Sequence, residues 1–188
     1  MNTETQLPRI TALVLLVAVI FLLATGFTTP PPMMPAERVG TYDSRLVAFA
    51  AFWDEGHQAR LQSRVRAARD AKERGDLARH ESLAKELSAL QHELHLQVFS
   101  TAPIDEVLAG LQDRLPALQR EAGVSRLVSQ WDEAALAGVP AADRVEVTDR
   151  LLREFQVPAA RLKALKQLRS VKPLPLERAR LMSQLNQL

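Results

Sequence analysis

Cysteine is absent from the 188 residues, which excludes disulfides, thiolate catalysis, cysteine-ligated metals and lipid attachment through an N-terminal cysteine. Glycine is scarce, seven residues scattered singly. No glycine-rich loop cradles a phosphate, and no Gly-x-Ser-x-Gly elbow presents a nucleophile. Aromatics make up 5% of the chain and are not interleaved with basic residues, as a nucleic-acid stacking surface requires. Proline is missing from Ser44 to Phe99, and charge is missing from Ile10 to Phe27. The first absences argue against an enzyme and against a nucleic-acid partner. The last two mark out a long helical region and a hydrophobic segment.

Ile10 to Phe27 holds only Thr11, Thr25 and Gly26 besides apolar residues. As a helix these residues would span roughly 27 Å, close to the thickness of a bilayer core. Arg9 precedes the run and the next positive charge is Arg38, so the N-terminus is expected to stay cytoplasmic while the rest crosses. Ala24-Thr25-Gly26 supplies small residues of the kind a signal peptidase accepts. Two readings stay open, a cleaved signal peptide and a retained inner-membrane anchor. Both export the chain to the periplasm or cell envelope. Thr28 to Pro35, with Pro30-Pro31-Pro32, reads as an extended spacer. The expected organisation is an export or anchor segment over 1–27, a proline-rich spacer over 28–37, a body over 38–155 and a basic helical tail over 156–188.

The body reads as mainly α with a small β element. Ser44 to Phe99 is rich in Ala, Leu, Arg and Glu, interrupted only by Arg74-Gly75-Asp76, a turn between helices. His80, Leu83, Leu87, Leu90 and Leu94 step by 3, 4, 3, 4, the seam of a paired helix. Leu46, Phe49, Ala50, Trp53, His57, Leu61, Val65, Ala68 and Ala71 oppose it, thinning from bulky residues to alanine toward the turn. The spacing predicts a long antiparallel hairpin projecting from a small strand-containing body, its first arm one continuous helix of roughly 45 Å.

Short β-branched segments bracket that hairpin: Val39–Asp43 before it, Val124–Trp131 and Val145–Val147 after it. Between them a third helix is expected from Pro103, kinked or split at Pro116 and closed by Gly123. Thr148 is placed to cap a short helix to about Phe155, with Asp149 in its first turn.

The order Val39-Gly40-Thr41-Tyr42-Asp43-Ser44, charged hairpin, Ala102-Pro103 helix ending in Ala122-Gly123-Val124, strand, and Val145-Glu146-Val147-Thr148-Asp149-Arg150-Leu151-Leu152 resembles the Skp/OmpH family of periplasmic holdase chaperones. Over residues 38–155 that resemblance implies a homotrimer whose strands make a small barrel and whose hairpins enclose unfolded outer-membrane clients. The implied function is ATP-independent capture of unfolded envelope proteins. The alternative is a membrane-tethered structural or adaptor protein whose hairpin docks a fixed partner. Four features depart from the family pattern: the anchor, if the N-terminal segment is retained, the proline spacer, an acidic body and the extra residues beyond Phe155.

Charge is segregated. Residues 27–149 hold 14 basic and 19 acidic residues, residues 150–188 hold 9 and 2. Arg60, Arg64, Arg66, Arg69, Lys72 and Arg74 make the end of the first arm locally basic. They read either as solvated helix surface or as a client-facing arm attracting acidic chains or head groups. In the tail, Leu162, Leu165 and Leu168 stand among Arg161, Lys163, Lys166 and Arg169. That helix is expected either to pack on the body or to lie on an anionic membrane or partner. His92-Glu93-Leu94-His95 sets two imidazoles three apart but lacks the zincin spacing and a third ligand. No catalytic residue, metal site or cofactor is assigned.

Overall fold

The computed structural model describes residues 37–185. The apolar run Ile10–Phe27, the spacer up to Ala36 and the last three residues lie outside the described residues. The protein is mainly helical with a small three-stranded parallel sheet. β1 (Val39–Tyr42) lies between β2 (Arg126–Ser129) and β3 (Arg144–Glu146), in the order β2-β1-β3. Val39 is registered with Arg126 on one side and Arg144 on the other. Parallel neighbours need long crossovers, and five of the nine α-helices among the described residues, the two longest included, lie in the β1-to-β2 connection.

Both faces of the sheet are covered, as in parallel sheets generally. Tyr42, Val124 and Val147 join the main core with Leu46, Val47, Ile104, Leu111 and Leu151. On the opposite face Val39 and Val128 pack with Leu136 of α6 (Glu133–Leu136). Gly40 sits on the main-core face with no room for a side chain. A Cβ there would stand 2.7 Å from Leu127 Cδ2 and 3.2 Å from Val124 Cγ2.

The first arm departs from the expected continuous helix. It is two helices, α1 (Ser44–Trp53) and α2 (Glu55–Glu73), broken at Asp54. Asp54 leaves the helical region (ψ 133°) and its carboxylate accepts from the Gly56 and His57 amides. Asp is a strong N-cap and Gly56 a poor helix former, so starting a new helix here outweighs continuing the old one. After Gly75 (φ 74°) comes α3 (Leu77–Phe99), capped by Asp76. α2 and α3 touch through buried Ala68 and Ala71. His80 Nδ1 lies 3.0 Å from the Ala68 carbonyl, and Arg64 pairs with Glu86 at 2.8 Å. The small alanines permit close approach.

The third helix is split. α4 (Asp105–Ala109) ends at Gly110, and α5 (Leu115–Ala122) begins anew with Pro116 in its first turn, where the missing N–H costs nothing. Gly123 (φ 65°) closes α5. Thr148 opens α7 (Thr148–Leu152), but its side chain does not cap it. The hydroxyl accepts instead from the Asp43 amide at 2.9 Å, satisfying a backbone donor at the end of β1.

The basic stretch after Phe155 is woven into the body and is not a separate appendage. α8 (Ala159–Arg169) buries Leu165 and Leu168 in the main core against α1. The chain then pairs with the exit of α3: Thr101 N donates to Leu174 O at 2.9 Å, and Leu174 N to Phe99 O at 3.0 Å. α9 (Leu176–Leu185) lies against α3, with Ser183 Oγ 3.1 Å from His92 Nδ1. Burial of the 165/168 pair decides between the two sequence readings of α8 in favour of packing. Among the described residues no helix is long and apolar enough to cross a membrane.

Candidate functional site

Parallel sheets bind ligands beyond the carboxyl ends of their strands. In this protein that position is filled by its own polar side chains. Asp43 follows β1, and its Oδ1 accepts from Arg45 N and Arg45 Nε, both at 3.1 Å, and from Trp131 Nε1 at 3.0 Å. Its Oδ2 accepts from Arg45 Nη2 at 2.8 Å. Arg45 is 1% exposed, its guanidinium 4.8 Å from the Trp131 ring centre, and its Nη1 donates to the Val171 carbonyl. Ser129 Oγ donates to Ser44 Oγ at 3.2 Å. With Thr148 on the Asp43 amide, the ends of β1 and β2, the start of α7 and the chain after α8 meet at one buried ion pair. No buried side-chain polar atom among the described residues lacks a partner. The cluster therefore ties the fold and leaves no free group for chemistry. Sequence reasoning passed over Asp43 and Arg45. The available signal was a pair of opposite charges, two apart, directly after an apolar strand.

An open groove of about 590 Å³ lies between α2 and α3 near the Asp54 break, floored by α4. Phe52, Leu61, Val65, Leu87, Leu90 and Leu94 give it an apolar lining. The leucine seam of the sequence is thus half-buried, and Val65 is 43% exposed. The rim is polar. Arg114 bonds Glu154 at 3.1 Å, and Asp54 Oδ2 accepts from Gln156 N at 3.0 Å. His57 stands against Phe52, ring centres 5.7 Å apart. Burial lowers its pKa below the usual imidazole value, and the neighbouring Arg60 adds to the effect. A concavity with aliphatic walls and a polar rim binds apolar surface. It presents no aligned nucleophile and base.

The six basic residues of the first arm do not form one patch. At about 100° per residue, Arg60 and Arg64 share the flank beside the groove. Arg60 lines it, and Arg64 is held by Glu86. Arg66 and Arg69 project from the side opposite the buried Ala68 and Ala71. Lys72 stands in the last turn of α2 and Arg74 is its C-cap, positions where cations offset the helix dipole. The structure brings together Arg60 and Arg64 and disperses the rest. His95 rests edge-on against Phe99, ring centres 5.9 Å apart, and His92 meets Ser183.

No family model, no curated protein and no solved structure matches this chain.

Proposed function

We propose that this protein is a binding module for apolar stretches of other polypeptides, an ATP-independent holdase of the cell envelope delivered there by its N-terminal apolar segment. The observation that carries the reading is the groove: about 590 Å³ with leucine walls left half-buried by the chain's own packing. Helices α2 and α3 then form the capturing hairpin, with Arg60 and Arg64 at its edge attracting acidic segments before apolar contact is made. The proposed assembly is a homotrimer, since both outer strands of the short sheet leave an edge to pair. The bounded rim favours a second reading, an adaptor docking one fixed partner segment. A light-scattering assay on residues 37–188 with an unfolded outer-membrane protein separates them. Suppression of aggregation near one trimer per client, lost in a Leu87→Asp, Leu90→Asp variant that keeps its helical circular dichroism, supports the holdase. Indifference of both proteins to the client supports the adaptor, and a monomeric mass in sedimentation removes the trimer.

A further inference from the structure

The outward face of α9 is a second exposed apolar surface, separate from the groove. Ser183 turns toward α3, where it meets His92. Leu181, Met182 and Leu185 project the other way and are 57%, 49% and 61% exposed. Three aliphatic or thioether side chains on one face of a ten-residue helix are an unpartnered apolar surface.

Its surroundings specify what covers it. Residues 170–185 hold three basic residues, Lys172, Arg178 and Arg180, and one acidic residue, Glu177, which Arg180 engages. Arg178 stands one turn before Leu181 on the same face, and Lys172 is exposed four residues before α9 begins. A second copy would bring the same cations against themselves, so like charge opposes self-association there. A nucleic acid would satisfy the charge but not the aliphatic face, and residues 156–188 contain no aromatic side chain on which a base could stack.

We propose that α9 docks on an anionic bilayer, seating Leu181, Met182 and Leu185 at the acyl boundary while Lys172 and Arg178 meet lipid phosphates. Exposed aliphatic side chains with cations at one end of the face are groups an interfacial helix uses. The docked helix is held at a fixed place on the body, because Leu174 is hydrogen-bonded to the end of α3 immediately before it.

The test uses the full chain, which has no cysteine of its own. A Leu181→Cys variant carries an environment-sensitive fluorophore and is reconstituted in bilayer discs. A blue shift is expected in discs containing phosphatidylglycerol and not in pure phosphatidylcholine. Adding Lys172→Gln and Arg178→Gln should lower the docked-to-undocked ratio roughly 30-fold, at the usual contribution per basic residue near an anionic surface. The same fluorophore at Arg66→Cys is the control and should not shift. An identical spectrum at position 181 in both lipids overturns the proposal. So does a shift produced in detergent by a single-stranded oligonucleotide and not by anionic lipid.

Discussion

The Asp43–Arg45 pair is where a single substitution should do most damage. Asp43 is 4% exposed and Arg45 1%, and the carboxylate receives four hydrogen bonds, three of them from Arg45. Arg45→Met keeps much of the side-chain volume but strips two charged donors from Asp43, leaving a buried anion with the indole and one amide. Removing one member of a buried pair typically costs about 3–5 kcal/mol, against a total stability of about 5–15 kcal/mol for a domain. Asp43→Asn should cost a similar amount, because the amide oxygen still accepts from Arg45 but the compensating charge and one of the two acceptors are gone, leaving a buried cation with the Val171 carbonyl and the Trp131 ring. The double variant should lose less than the two singles added together, since neither charge is left uncompensated. Urea unfolding of residues 37–188, followed by far-ultraviolet circular dichroism and by tryptophan emission, gives the double-mutant cycle directly. We expect a coupling above about 2 kcal/mol, nearly unchanged between low and high salt, because a buried pair is poorly screened. A coupling under about 0.5 kcal/mol would refute the reasoning and return these residues to ordinary surface charge.

Two further outcomes follow from the backbone and from burial. Gly75 adopts φ 74° with open space around it, so Gly75→Val should lower stability by roughly 1–2 kcal/mol and Gly75→Asn by less; equal thermal melts for wild type and both variants would mean the turn is not set there. Tyr42 has its pKa raised to about 12, chiefly by burial and then by the Asp105 and Asp132 charges. The unfolded phenol loses its proton near pH 10 while the folded one keeps it. Stability is therefore full below pH 10 and falls between pH 10 and about 12, by about 2–3 kcal/mol. In Tyr42→Phe that part of the alkaline slope should vanish; an unchanged slope in chemical denaturation at stepped pH would exclude Tyr42 as its source.

The sequence by itself determined the helix stops at Gly75 and Gly123, because those signals are local. Both glycines take backbone conformations that other residues resist, and Pro116 marked where the third helix would kink or split. The seam Leu83–Leu94 was legible from its 3-4 spacing, as were the three strand segments from their β-branched content. Tertiary structure decided what each was used for. Asp54 reads in sequence as one more charge in a helix, yet it breaks the first arm, because its carboxylate caps α2 and also receives the Gln156 amide from 102 residues away. Thr148 looks like a cap and serves as an acceptor for β1, a choice set by which strand lies beside it. Spacing placed the leucine seam on one face but could not say how far apart α2 and α3 stand, so it gave no sign that the seam lines an open groove. The basic stretch after Phe155 has the composition of a solvated tail, and only the apposition of α1 turns Leu165 and Leu168 into core. Periodicity records which residues share a face. What that face meets depends on contacts distant in sequence, and these arise only when the chain is folded.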